Sequence, residues 1–419
     1  MISKIFKNSL VCRICRSKNL IKVFSNEPSP IGEAFIKKKK IDATQKKYPI
    51  DVLLCRKCGL SQLSKIINPE ILYKKYLYYS KTSNDLLSHF SNLSKTLFSR
   101  FEINKNDLIV DIGSNDGMLL NFFKNNKCKV IGIEPSSSQS KIANKKGIKT
   151  LNSFFDKRTT QFILSQYKKP KIITACNVIA NIDDLITVFR NIEELLADDG
   201  IFVFESFYLL DLIKNNVFDF IYHEHLSMFG IKPIQHLCKL CKLELFDVQR
   251  IKTKGGSLRF FIRKKASSNI SHRMKKLTKE EKRFNLYSKE IFIKFRKNIN
   301  KQKKYLITAL KKAVLTNKNA RIIGFGASIS CITLIYDFKL ENKIKFLLDD
   351  NSSKHNWLSP GSNIKVTNPK KFIFNKNDII LFLAWRFQKF FINKYKKLFF
   401  KNNYKIFQLL PKFRVINFN

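Results

Sequence analysis

Leu108-Ile109-Val110-Asp111-Ile112-Gly113-Ser114-Asn115-Asp116-Gly117 reads as a short aliphatic strand that runs into a glycine-bounded turn and then a helix, and it decides the fold. The glycines let the backbone approach a ligand closely, and the helix that follows offers unpaired N–H groups to a carboxylate. Asp111 can meet an ammonium or fix the turn. About twenty residues on, the next strand ends at Ile133-Glu134-Pro135, where an acidic side chain can accept both hydroxyls of a ribose. A dinucleotide site would carry GxGxxG, whose second glycine admits a pyrophosphate. Here Gly113 to Gly117 spells GxxxG and Asn115 takes that second place, which favours an adenosyl ligand without a pyrophosphate.

Working outward, short β-branched runs alternate with helical segments: Lys129 to Glu134, Lys171 to Asn177 and Gly200 to Ser206 are strand candidates of a parallel sheet with crossovers. Leu243 to Ile251 and Ser257 to Arg263 have only Lys252 to Gly256 between them, so they pair as an antiparallel hairpin at one edge. A second α/β pattern begins at Arg321-Ile322-Ile323-Gly324-Phe325-Gly326-Ala327-Ser328 and continues through Ile344 to Leu348, Asp378 to Ala384 and Lys405 to Leu409. Gly324 and Gly326 could cradle a phosphate on backbone N–H groups, or the unit could simply pack against the first and close its cleft. The expected organisation is a module over 1–68, a helical connector over 69–100, a doubly wound α/β domain over 101–264, a basic, solvated helical linker over 265–318 and a second α/β domain over 319–419.

Cys12-Arg13-Ile14-Cys15 and Cys55-Arg56-Lys57-Cys58-Gly59 are two knuckle-like pairs, each able to place two thiolates on one tetrahedral ion. Four thiolates close the coordination sphere, so Cys12, Cys15, Cys55 and Cys58 are expected to hold a structural zinc. Cys238 and Cys241 lie in a stretch with helical apolar spacing and read as the buried face of a helix.

At 419 residues the chain is long enough for two or three folded units. An apolar fraction of 44% and a charged fraction of 26% are those of a globular protein. The formal charge of +47 invites a nucleic-acid reading, but Lys far outnumbers Arg and is spread over every region, so no specific nucleic-acid role is expected. No apolar run approaches a membrane span, and Lys4 and Lys7 interrupt any secretory core, which gives the expectation of a cytoplasmic protein without a membrane partner. The oligomeric state stays open, a monomer included.

With these residues in hand, the chain resembles the sugar-nucleotide C-methyltransferases, which methylate a carbon next to the ketone of 4-keto deoxysugars. The resemblance runs over essentially the whole chain. It is carried by the two cysteine pairs, by Tyr76-Leu77-Tyr78-Tyr79-Ser80, by the cofactor turn, by Tyr222-His223-Glu224-His225-Leu226-Ser227 and by Gly255-Gly256-Ser257-Leu258-Arg259. It implies a zinc module, a Rossmann-like class I methyltransferase core and a second Rossmann-like domain. It also implies S-adenosylmethionine as cofactor, bound by Asp111, Gly113, Ser114, Asn115, Asp116, Gly117, Glu134, Pro135 and Asn177, and a nucleotide-linked sugar as substrate.

A carbon nucleophile is made by removing a proton α to a carbonyl, which needs a base and a donor to the developing enolate oxygen. His225 is the expected base and Glu224 its orienting or charge-stabilising partner. Tyr222 and Tyr76 are expected to hold the sugar and its ketone, with His223, Asn181, Gly324 and Gly326 as further substrate contacts. Asn181 stands where the resembled family usually carries a histidine, and Asn cannot exchange protons near neutral pH. O- or N-methylation of a sugar or small molecule, which needs less activation, is a second reading. A non-enzymatic basic zinc scaffold for nucleic acid is a third.

Overall fold

The computed structural model describes residues 5–37, 43–73, 84–264, 269–316, 319–396, 399 and 404–416. Its N-terminal strands are β1 (Phe6–Asn8), β2 (Leu20–Ser29), β3 (Tyr48–Cys55), β4 (Ser61–Leu63) and β5 (Lys65–Ile67). Buried and half-buried residues alternate along most of β3, the mark of a strand with one face inward, and it pairs antiparallel with β2 and β4. Two helices follow, α1 (Pro69–Tyr73) and α2 (Asn84–Arg100).

The aliphatic run of the quoted stretch is β6 (Leu108–Ile112), buried at every position as a central parallel strand must be. After it come α3 (Met118–Asn125), β7 (Lys129–Ile133), α4 (Ser137–Lys145), β8 (Thr150–Leu151), α5 (Lys157–Gln166), β9 (Ile172–Cys176), α6 (Leu185–Leu195), β10 (Ile201–Phe207), α7 (Leu209–Lys214), β11 (Ser227–Met228), α8 (Ile231–Leu240), β12 (Leu243–Ile251) and β13 (Ser257–Lys264). One seven-stranded sheet results, in the order β12-β13-β10-β9-β6-β7-β8. β6 to β10 are parallel, and the β12–β13 hairpin closes one edge antiparallel, as expected. Cys238 is buried on α8, and Cys241 caps that helix.

β11 does not join this sheet. It pairs with β4, so the sheet of the N-terminal part has the order β11-β4-β3-β2 and takes its edge strand from the segment that follows His225.

The basic stretch is not the solvated linker that its lysines suggested. It forms α9 (His272–Arg283) and α10 (Lys289–Thr316), and Phe292, Phe295, Ile299, Leu306, Leu310 and Ala313 recur at helical spacing as one buried stripe of α10. Arg296 on that helix pairs with Asp337 and reaches Asn26 on β2. Lysines on the outer face hid an apolar seam.

The last part contains β14 (Ile322–Phe325), α11 (Ile329–Asp337), β15 (Ile344–Leu348), β16 (Lys365–Thr367), β17 (Ile379–Phe382), α12 (Gln388–Lys394), β18 (Lys405–Gln408) and β19 (Arg414–Ile416). These strands make a second sheet in the order β16-β15-β14-β17-β18-β19, parallel except for β19. β16 and β19, each three residues long, were not legible as strands.

Candidate active site

Neighbouring strands leave β6 in opposite directions, β7 on one side and β9 on the other, and a ligand crevice belongs at the carboxyl edge of such a switch point. A cavity of about 320 Å³ opens there. Asp111, Gly113, Ser114, Asn115, Glu134, Pro135 and Asn177 line it, as does Asn181, and Leu86, Phe90, Phe154 and Phe155 supply apolar wall. Asp116 and Gly117 are not among the lining residues. The Asp116 carboxylate turns back to Lys146 at 2.8 Å, and Gly117 starts α3 against Ile148, because the turn needs both to fold its far side.

Asp111 is buried and accepts a hydrogen bond from the Thr174 hydroxyl at 2.7 Å. Burial, together with the charges of Glu134 and Glu205, pushes its carboxyl up to about 7 against the pull of Thr174. Among the described residues no cation pairs with it. Glu134 accepts the backbone N–H groups of Asn115 and Ser136 at 2.9 and 2.8 Å, yet burial holds it above the usual carboxylate range. Ser114 Oγ and Asn181 Oδ1 are buried with no hydrogen-bond partner among the described residues. An acid lacking a cation, a second acid one strand away and two orphaned oxygens fit a ligand that brings an ammonium or sulfonium and hydroxyl groups.

The Tyr222–His225 segment is held between the turn Phe218–Phe220 and β11. His225 is buried, stacked on Tyr222 with ring centroids 4.0 Å apart and packed on Phe207 at 4.6 Å. Its Nδ1 lies 2.7 Å from the Phe220 carbonyl oxygen, which can only accept, so Nδ1 carries the proton and Nε2 the lone pair. The Tyr222 hydroxyl donates to Nε2 at 3.0 Å. Burial, with Lys254 and Arg386 nearby, pulls the imidazole down to about 3, against the Phe220 carbonyl, and keeps it neutral at physiological pH.

Two expectations need correction. Glu224 is not the group that orients His225, because the Phe220 carbonyl takes Nδ1. Burial and the charge of Glu33 instead push the Glu224 carboxyl up to about 8, against the pull of Lys354 and Lys254. His223 is committed to the N-terminal sheet rather than to a substrate: its Nε2 lies 3.3 Å from the Tyr48 carbonyl oxygen, and the two rings meet edge to face. Tyr76 lies outside the described residues.

The four N-terminal cysteine sulfurs lie within 4.8 Å of one another, with Cys12–Cys58 at 3.4 Å and Cys15–Cys55 at 3.5 Å. Sulfurs on one tetrahedral zinc sit about 3.8 Å apart, so the donor set fits the ion. Arg13, between the first two cysteines, is buried and ties this knuckle to the site. Its Nε reaches Asp183 at 3.0 Å, on the cavity wall, and its Nη1 donates to the carbonyl of Leu226, the residue after His225.

In the second α/β unit, a side chain at Gly324 would strike Leu383 and Leu347, and one at Gly326 would strike Ala384 and Cys331. These glycines serve the close packing of β14 against its neighbours, not an open cradle, which corrects the expected phosphate contact.

Three family models divide the chain: a zinc binding domain over residues 12–73, a methyltransferase domain over 82–246 and a C-methyltransferase C-terminal domain over 252–411. The chain is similar over its whole length to the C-methyltransferase NovU of Streptomyces niveus, at 26% identity over 408 residues, 97% of this chain and 96% of that one. It is an S-adenosylmethionine-dependent methyltransferase of the C-methyltransferase family.

Among solved structures, an S-adenosylmethionine-dependent methyltransferase from Clostridium acetobutylicum is similar at 15% identity, covering 43% of this chain and 92% of that one with a TM-score of 0.32. The plantazolicin methyltransferase BpumL in complex with SAH is 13% identical, covering 43% and 83% with a TM-score of 0.34. Among the described residues of this C-methyltransferase, no helix is long and apolar enough to cross a membrane.

Sequence reasoning missed Lys254, which lines the cavity from the turn between β12 and β13. Because β13 runs antiparallel to β10, that turn must lie at the carboxyl edge of the parallel strands, where ligands bind. The hairpin was legible, and that inference was within reach. It also missed Arg386, which forks onto Asp219 at 3.2 and 3.0 Å and covers the Phe220 ring. Nothing local marks an arginine that acts across 167 residues.

Proposed function

We propose that this enzyme transfers a methyl group to a carbon next to the ketone of a nucleotide-linked keto deoxysugar, through an enolate. The observation that carries the reading is the fixed tautomer of His225: Nδ1 is spent on the Phe220 carbonyl, so the lone pair sits on Nε2, beside the Tyr222 hydroxyl. Rotation of that hydroxyl about its C–O bond redirects its proton to a ketone oxygen and frees Nε2 to take the α-proton. Both changes favour the enolate. S-adenosylmethionine, when bound, supplies an electrophilic methyl group on sulfur. Asp111 meets its positive charge, Glu134 its ribose, and Ser114, Asn115 and Asn177 complete the grip.

Asn181 offers its orphaned Oδ1 to a sugar hydroxyl and cannot exchange a proton near neutral pH. Tyr76 belongs to the same proposed acceptor site. Residues 101–264 carry the cofactor site in this reading and 319–419 close the acceptor cleft. Reaction of a heteroatom would need no proton abstraction from carbon, and an asparagine at 181 suits it as well as a histidine would.

Replacing His225 by Ala tests the assignment. The expected result is loss of methylation with S-adenosylmethionine affinity retained by calorimetry, and unchanged turnover would remove His225 as the base. In heavy water, wild-type enzyme without cofactor should exchange deuterium into the acceptor carbon. Methylation without such exchange would favour the heteroatom reading.

A further inference from the structure

We propose that Lys254 is a further catalytic residue, whose ammonium faces the carbonyl oxygen of the acceptor and stabilises the negative charge that develops there as the α-proton leaves. This rests on the enolate reading above and adds a group that it lacks, a fixed positive charge at the oxygen.

The backbone gives the first argument. Lys254 has φ 55° and ψ 26°, a left-handed conformation that costs a non-glycine residue about 1–2 kcal/mol. Two glycines follow it directly, so the chain has a cheap residue for such a turn at hand and does not use it at this position. Lys127, Lys242 and Lys339 adopt this conformation too, but of these four lysines only Lys254 does so on the cavity wall, where such strain can serve a side chain's position.

Position gives the second. Lys254 lines the same cavity as Asp111, Asn177 and Asn181, and its charge is felt by Glu224 and His225 in the other half of the site. An acceptor that enters this cavity beside the cofactor site meets the Lys254 side chain on its wall.

Availability gives the third. The groups that face it are Cys176 at the end of β9, Glu205 on β10, Glu224 and His225 on the segment before β11, and Arg386 from the second α/β unit. Glu205 is already bound by Arg259 at 2.7 Å and His89 at 2.6 Å, and Arg386 by Asp219 and Ser330. Among the described residues no carboxylate pairs with Lys254, and its exposed side chain lines the cavity, where its charge is open to a ligand. Lys254 is exposed rather than buried, so solvent reaches its ammonium; the surrounding protein, with Arg386, draws its pKa down towards about 8 against the pull of Cys176, Glu205 and Glu224, and it stays mostly protonated at neutral pH.

The step balances within the acceptor and the protein. The α C–H bond breaks and its proton forms an N–H bond at His225 Nε2; the electron pair makes the C=C bond as the carbonyl π pair moves onto oxygen. Lys254 keeps its proton and donates a hydrogen bond to that oxygen. A preorganised donor at a developing oxyanion contributes on the order of 100- to 1000-fold.

The test uses the full-length zinc-loaded protein without S-adenosylmethionine. The probe is that member of a panel of dTDP-, UDP-, GDP- and CDP-linked 4-keto-6-deoxyhexoses which the wild type methylates, and the readout is deuterium uptake at its α-carbon by NMR. Lys254→Met should lower the exchange rate by ~100-fold or more, with S-adenosylmethionine affinity within about threefold of wild type as a check that the cavity is intact. Lys254→Arg should recover most of the rate. It should also lose the fall in exchange that the wild type shows above pH about 8, where the ammonium deprotonates. Exchange in Lys254→Met at the wild-type rate, or a fall above pH 8 that persists in Lys254→Arg, overturns the role of Lys254 and leaves the enolate reading standing. A wild type that methylates the probe but never exchanges it overturns the enolate reading, and this assignment with it.

Discussion

Two turns in this enzyme are built alike and do different work. In the first, the N–H of Gly113, at φ 71°, donates to Ile133 O at 2.8 Å, and Glu134 accepts the N–H of Asn115. In the second, the N–H of Gly326, at φ 115°, donates to Leu348 O at 2.7 Å, and Asp349 accepts the N–H of Ala327. The difference lies in the counter-charge. Around the second turn the protein provides it: Lys354 donates to Ala327 O and pairs with Glu33, and Arg386 joins Ser330 to Asp219. Around the first, Asp111 is buried with no cation of its own among the described residues. One turn is a completed joint that ties the second α/β unit to the other two parts, and the other, in the function proposed above, is a site that a cationic ligand completes.

Removing the metal would strain this contrast most. Chelation, or Cys55→Ser, should cost the N-terminal sheet on the order of 10 kcal/mol of folding free energy, the scale of structural zinc, read by thermal melting. Because Arg13 holds Asp183 on the cavity wall, S-adenosylmethionine affinity should fall with it. Unchanged affinity in the metal-free protein would show that the first turn stands without the knuckle.

Arg386→Met attacks the second turn. It strands the fully buried Asp219 charge and should destabilise the protein by about 3–5 kcal/mol in chemical denaturation. Cofactor affinity should stay within about threefold, and a large loss of affinity would mean that the two turns are not separate devices.

Asp111→Asn is the milder counterpart at the first turn. Cofactor affinity should drop by about 100-fold, or about 2.7 kcal/mol, while the apo protein melts no lower, since a neutral amide replaces an acid that burial disfavours. The wild type offers a finer version through pH. A bound cation lowers the Asp111 pKa from about 7, so binding near neutral pH releases a proton. Affinity should therefore rise with pH up to about 7 and level off above it, and the calorimetric enthalpy near pH 6.5 should depend on the ionisation heat of the buffer. A pH-independent affinity would mean that Asp111 does not meet the charge.

The first turn was legible because its information is local: an aliphatic strand, glycines at fixed spacing and an acid at the end of the next strand. The cysteine pairs were legible for the same reason. What escaped depends on distant partners. His223 reads as chemistry beside His225, and only the Tyr48 carbonyl, 175 residues away, makes it structural. Gly324 and Gly326 carry a ligand-like spacing, and only Leu383 and Ala384 show that packing demands it. Lys254 sits in a stretch that looks like plain hairpin connection, because a side chain's place at a ligand is set by sheet order, which periodicity does not encode. The long basic helix misled through composition, its apolar seam being outnumbered by lysines.

The borrowed edge strand limits how this enzyme can be divided. Because Ser227 and Met228 pair with Gln62 and Ser61, a fragment that begins near residue 82 would keep most of the cofactor crevice, Leu86 and Phe90 included, but lose the ladder that anchors the histidine segment from behind. Such a fragment, lacking Arg13 as well, should hold its nucleoside more weakly and transfer nothing, and transplanting the core into another scaffold would have to carry the first seventy or so residues along with it.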